Sequence, residues 1–237
     1  MKQKSLAFRG GAGVVVVATL VAAAVALPTL AADPSAWTLD SAMKQLDQTS
    51  VDFKTAVVDV ELTAIDGPDA EPRVASGKAY FSRAGSFRID LSEPDAKTLL
   101  STGSDLYVYD PSRAIVERYA IGKHPERLEP YLSLGFSLTG KGLSKDYLVG
   151  LLGEEVLDDQ RTLHLELTPK SDEIRANVSR IQIWIEQGSW LPVRLTVFHS
   201  DAEQSVTANY SHASRNVPVD DAMFKPKWPK GTETIKR

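Results

Sequence analysis

Hydrophobic and polar positions in this chain repeat with different periods in different stretches. In residues 36–50, Leu39, Met43 and Leu46 fall on one helical face, with Trp37 just before them. Lys44, Asp47 and Gln48 take the opposite face, and Thr38 or Asp40 can cap the start. These spacings predict one amphipathic helix. From residue 54 the period becomes two. Val58, Val60, Leu62 and Ala64 share one side, and Asp66-Gly67-Pro68-Asp69 is a turn cluster. Further strands are predicted over Ser76 to Arg83, Ser86 to Leu91, Lys97 to Ser101, Asp105 to Tyr109 and Ala114 to Tyr119. The gaps between them are short enough for antiparallel hairpins.

Residues 123–150 interrupt this alternation. His124-Pro125-Glu126-Arg127 reads as a helix start with proline in the first turn. Leu128, Tyr131, Leu132 and Leu134 follow at helical spacing, and Gly135, Gly140 and Gly142 break what comes next. The stretch reads as a helical insertion, with a second short helix or turn around Ser144 to Leu148. Alternation then resumes in Arg161 to Thr168, Val178 to Glu186, Pro192 to His199 and Gln204 to His212. The tail from Asp220 to Arg237 is expected to hold a short helical turn followed by Phe224, Pro226, Trp228 and Pro229. About ten strands in one antiparallel meander are expected to curl into a barrel or half-barrel.

The first 32 residues stand apart. Lys2, Lys4 and Arg9 precede an apolar run from Gly13 to Leu27, and Pro28 then Thr29-Leu30-Ala31-Ala32 end it. This is the pattern of a secretory signal peptide. The run is short against the roughly 20 residues of a membrane-spanning helix. Residues 33–237 are expected to form one domain of a protein exported to a bacterial periplasm. Removing the leader takes away three basic residues and no acid, so the formal charge of −4 becomes −7. The chain has no cysteine. That excludes disulfides, thiol catalysis, cysteine-ligated zinc and a lipid anchor on cysteine. No basic excess suggests a nucleic-acid partner.

The chain offers little catalytic chemistry. The histidines, His124, His164, His199 and His212, lack the close spacing of a metal site, and His164 and His199 fall on the polar phase of strands, as solvated residues would. No nucleophile elbow, phosphate-binding loop or dinucleotide fingerprint is present. Asp158-Asp159 and Asp220-Asp221 suit turns and caps. No enzyme activity, metal or cofactor is expected. Lys225, Lys227 and Lys230 beside Trp228 form either a solvated surface or a docking surface for acidic groups. The long apolar face leaves two readings open. It is either packed by the helical segments as an ordinary core, or it forms a cavity for acyl chains, whose burial contributes about 0.8 kcal/mol per methylene.

Several landmarks carry a resemblance to a known family. They are Gly77-Lys78-Ala79-Tyr80-Phe81-Ser82-Arg83-Ala84-Gly85-Ser86-Phe87-Arg88, Pro94, and Leu106-Tyr107-Val108-Tyr109-Asp110-Pro111. Leu167-Thr168-Pro169-Lys170 and Phe224-Lys225-Pro226-Lys227-Trp228-Pro229-Lys230-Gly231-Thr232 follow in the same order. Together they resemble the LolA-type periplasmic carriers of outer-membrane lipoproteins. The resemblance implies a mainly β fold, an unclosed antiparallel β-barrel of about 10–11 strands with an α-helical lid. It implies a monomer, without a cofactor, that binds lipoprotein or other acylated cargo. Its expected partners are an inner-membrane ABC-type releasing complex and an outer-membrane lipoprotein receptor. A lipid-sensing periplasmic regulator or interaction module on the same fold is the alternative. The resemblance also assigns Arg83 as the latch of the lid, with Arg88 as a rival candidate. Candidates to line a lipid cavity are Phe81, Phe87, Ile89, Leu91, Leu106, Val108, Leu132, Ile183 and Leu195. The chain departs from the family's pattern at Ala84, where proline is common, and in its long, glycine-rich lid segment.

Overall fold

The computed structural model describes residues 37–124, 127–134, 136, 139–201 and 203–237. The expected signal peptide at 1–32 lies outside the described residues. The first element is helix α1 (Leu39–Ser50), closed at its start by a capping box. The Thr38 hydroxyl accepts from the Ser41 amide at 3.2 Å, and the Ser41 hydroxyl accepts from the Thr38 amide at 2.9 Å. Thr38 is therefore the cap.

Strands β1 (Thr55–Ile65), β2 (Arg73–Ser82), β3 (Phe87–Leu91), β4 (Lys97–Ser101), β5 (Asp105–Asp110) and β6 (Ile115–Ala120) follow as one antiparallel run. The chain then passes through two 3₁₀ turns, Ile121–Lys123 and Glu129–Ser133, and helix α2 (Gly140–Asp146). Strands β7 (Tyr147–Leu157) and β8 (Gln160–Pro169), helix α3 (Asp172–Arg175), and strands β9 (Val178–Glu186), β10 (Pro192–His199) and β11 (Ser205–Arg215) form a second run. Strand β12 (Glu233–Lys236) ends the chain. Among the described residues the twelve strands belong to one sheet, ordered β12-β6-β5-β4-β3-β2-β1-β11-β10-β9-β8-β7.

This order corrects the expected single meander. Strands β6 and β7 are not neighbours. The chain leaves one flank of the sheet after β6, crosses in the helical insertion, and restarts at the opposite edge in β7. The two runs meet where β11 pairs with β1. Twelve strands are described, against the ten or eleven expected. Strand β7 begins at Tyr147, inside the stretch read as a helical insertion, and was not predicted, because Tyr147-Leu148-Val149-Gly150-Leu151-Leu152 does not alternate in polarity. It does not need to, since β7 is an edge strand and Leu148 and Leu152 are exposed. A bulge between Leu151 and Gly153 then shifts its register, at a positive φ of Gly153.

Alternation fixes the faces. Ala56, Val58, Val60 and Leu62 of β1 are buried on the concave side, opposite Phe81, Ala79, Gly77 and Ala75 of β2. Leu163, Leu165 and Leu167 of β8 pair with Ile185, Ile183 and Ile181 of β9, all essentially without exposure. Each such side chain contributes about 2 kcal/mol on burial. The convex face is covered locally by the tail. Trp228 packs on Tyr109 and Tyr107, at 5.1 and 6.1 Å between ring centroids. Leu100 and Val116 share that face and are fully buried.

Candidate ligand cavity and its lid

The insertion between β6 and β7 lies over the concave face, and three of its side chains anchor it. Leu132, Phe136 and Leu143 are buried in the same core as the sheet residues. The Phe136 ring stacks on Phe81 of β2 with centroids 3.8 Å apart and planes 6° from parallel. Tyr210 of β11 stands edge-on to both rings, at 4.9 and 6.0 Å. Its hydroxyl donates to the Leu132 carbonyl at 2.7 Å. Burial pushes this phenol far above its ordinary pKa, so the proton needed for that bond is held.

Helix α1 braces α2. At Gly140 a Cβ would stand 2.3 Å from the Met43 carbonyl oxygen, so the two backbones meet at a distance only glycine permits. The Lys141 amide also donates to the Asp47 carboxylate at 3.2 Å. Arg215, at the end of β11, donates to the Thr49 carbonyl of α1 and lies over the Phe53 ring.

Beyond Leu132 the concave face stays open. A cavity of about 400 Å³ lies there, with Leu62, Ala75, Leu91, Leu99, Val108, Leu132 and Val206 among its walls. That volume is within the roughly 300–1,000 Å³ typical of small-molecule sites. Its rim is charged, with Arg73, Lys97, Arg113 and Arg127 alternating with Asp95, Asp110, Glu117 and Glu129. Most of these charges are paired. Arg113 donates to Asp110 at 2.9 Å, and bonds from Ser112 and Arg113 hold the Asp110 carboxyl down at about 2. Glu117 accepts from Arg237 and from the Tyr119 hydroxyl, which keeps it ionised below the usual carboxylate range. Arg127 pairs with Glu129 and lies over the Tyr119 ring at 4.5 Å. A larger hollow of about 650 Å³ on the convex face is lined by polar groups such as Asp59, Lys78 and Ser211. There Asp59 is already bonded to Lys78 and His212, at 2.8 and 3.0 Å. The concave cavity is amphipathic, with nine aliphatic and eight charged residues in its lining.

The predicted lining residues divide. Leu91, Val108 and Leu132 line the cavity. Phe81, Phe87, Ile89, Leu106, Ile183 and Leu195 lie in the core, each at 1% exposure or less. Arg83 is exposed in the turn after β2, where its amide donates to the Lys54 carbonyl at 2.8 Å. Among the described residues its side chain makes no hydrogen bond or ion pair, and the lid carbonyl is held by Tyr210. Arg88 bonds Asp90 at 2.8 Å on the convex side. His164 is buried rather than solvated. It stacks on Trp184 at 4.0 Å and shares Glu155 with the Trp184 indole. Among the described residues no group of three or more His, Cys, Asp or Glu could hold a metal ion, and no helix is long and apolar enough to cross a membrane. The charged rim and Tyr210 were not anticipated. Their signal was the inward phase of Lys97, Glu117 and Tyr210 on otherwise apolar strand faces.

A curled, unclosed antiparallel sheet with a helical flap across its concave face defines the class to which this chain conforms. The profile of the family described as outer membrane lipoprotein carrier protein LolA matches residues 52–227. The chain belongs to that family. No curated protein matches the sequence. Among solved structures, an uncharacterized conserved protein from Thermus thermophilus superposes with a TM-score of 0.53 at 10% identity, over 84% of this chain and 100% of the other. A LolA superfamily protein from Nitrosomonas europaea gives 0.43 at 17% identity, over 80% and 98%. A putative outer membrane lipoprotein-sorting protein domain from Vibrio parahaemolyticus gives 0.47 at 12% identity, over 78% and 95%.

Proposed function

We propose that this protein is a non-catalytic periplasmic carrier. It shields the acyl chains of a lipoprotein, or of another acylated molecule, from water between the inner and outer membranes. The observation that supports this most is the cavity between the sheet and Leu132 of the lid, with nine aliphatic side chains in its lining. Leu91 and Val108 on the sheet and Leu132 on the lid give a chain hydrocarbon on both sides. At a size per methylene like the roughly 30 Å³ of a water, about a dozen groups fit without any movement. A triacylated cargo needs more room. Displacing Phe136 from Phe81 would open the concave face between them, so the lid is the element that cargo moves.

Affinity in this scheme is hydrophobic and reversible. A carrier with no energy source of its own hands cargo on by differential affinity between partners. An inner-membrane ABC-type complex would load it, an outer-membrane receptor would unload it, and the leader at 1–32 would bring it to the compartment. The test uses inner-membrane vesicles carrying a triacylated lipoprotein and ATP, with the protein added outside. Release of the lipoprotein as a soluble complex is expected. Retention of the lipoprotein on the vesicles, together with binding of a fluorescent acyl probe by the protein, would overturn the ferrying role and favour a lipid-responsive regulator.

A further inference from the structure

The rim of the 400 Å³ cavity suggests which head its ligand carries, an inference that rests on the acyl-binding reading above. Most rim charges are satisfied within the protein. Arg73 is drawn outward to Asp66 at 2.7 Å, and Arg113 and Arg127 are held by Asp110 and Glu129. Two are not. Lys97, the first residue of β4, and Asp95, two residues before it, border both the cavity and a polar hollow of about 350 Å³ beside it; both are exposed, and neither has a hydrogen bond or ion pair among the described residues. Lys97 pairs across the sheet with Leu91, and Leu99 follows it on the same face. Alternation therefore places its ammonium at the end of a hydrocarbon wall. A carboxylate two residues earlier borders the same opening.

We propose that the cavity binds a single-chain amphiphile with a zwitterionic head, a phosphodiester and an ammonium group, as in a lysophosphatidylethanolamine. The tail lies against Leu91, Leu99 and Val108. The phosphodiester meets Lys97, and the ammonium meets Asp95. Three features favour this class. The volume suits one chain rather than several. The rim carries equal numbers of cations and carboxylates, so a purely anionic head meets as much repulsion as attraction. An uncharged head leaves both free groups without the charge-assisted bonds they are placed to make, which are about twice as strong as neutral ones.

The test measures binding by isothermal titration to protein recovered from the periplasmic fraction. The probes are lysophosphatidylethanolamine, lysophosphatidylglycerol and a monoacylglycerol of one chain length, with free phosphoethanolamine as a chainless control. The zwitterionic lipid is expected to bind at least tenfold tighter than the other two lipids, with the control too weak to detect. Lys97→Gln should reduce that preference over the monoacylglycerol by about tenfold. Asp95→Asn should raise the affinity of lysophosphatidylglycerol toward that of the zwitterion. Both positions are exposed, and a circular dichroism spectrum confirms the fold of each variant. Equal affinity for the three lipids, or a preference untouched by both substitutions, overturns the headgroup assignment alone. Tight binding of free phosphoethanolamine overturns the lipid as its source. No binding of any of the three lipids overturns the acyl-cavity reading beneath it.

Discussion

Tyr210→Phe removes one hydroxyl and leaves the ring that packs edge-on to Phe81 and Phe136. What is lost is the 2.7 Å bond to the Leu132 carbonyl, 78 residues away in sequence and fully buried. A net hydrogen bond contributes about 1 kcal/mol, and a buried carbonyl left unsatisfied adds to the cost. The closed lid should therefore lose about 1–1.5 kcal/mol relative to the open one. Since about 1.4 kcal/mol is tenfold, the open population rises roughly five- to tenfold. Hydrogen–deuterium exchange reads this directly at the amides of Leu134 and Phe136, which bond the Tyr131 and Ser133 carbonyls within the lid. Their exchange should accelerate by that factor, while the amides of β8 and β9 keep their rates. If a ligand binds the open state only, its apparent affinity rises by the same factor. Unchanged exchange at Leu134 and Phe136, with a lowered melting temperature, would show that Tyr210 supports the core and does not hold the lid.

Other substitutions separate the cavity from the core. Val108→Asp puts a carboxylate on a cavity wall that already borders the charged rim, so acyl-probe affinity should fall at least tenfold while the melting temperature changes little. Gly140→Ala forces a Cβ against the Met43 backbone, and α2 must move from α1. A cost of about 1–3 kcal/mol, typical of overpacking, is expected in urea unfolding, with faster exchange in the lid. The rim carboxylates Asp110 and Glu117 have folded pKa values below their unfolded ones. Their contribution is present above pH 4.5 and is lost as pH falls toward 2. Acid titration should loosen the rim over that window, seen as a fall in thermal stability that Asp110→Asn reduces.

Much of the fold was legible because one face of each central strand is buried. Period-two alternation in β1, β3, β8, β9 and β10 reports that burial for the aliphatic positions, while Thr162, His164, Trp184 and Thr196 are buried on the opposite phase. The edges were less legible. Strand β7 has one free edge and two exposed leucines, so polarity does not mark its faces. Strand β12 is four residues long and pairs in parallel with β6, a partner over a hundred residues away. No local signal announces that. The same logic divides the candidate site. Leu91 and Val108 lie on the concave face beside the cavity, and alternation carries no information on which concave residues the lid covers. Phe81 is an example. It faces inward as read, yet its ring is spent on Phe136, so substituting it reports folding as well as binding. Tyr210 was legible only as a strand residue, because its partner carbonyl belongs to an irregular segment.

The central claim is that the concave cavity takes an acyl chain. Native mass spectrometry of the protein purified gently from its own cells tests it most directly, with lipid extraction of anything bound and a parallel measurement on Val108→Asp. A bound mass that yields acyl chains on extraction, and that is absent from the folded variant, is the predicted result. A clean apo mass, with no later uptake of a fluorescent acyl probe, would contradict the account and leave the half-barrel as a packed domain whose lid serves its core.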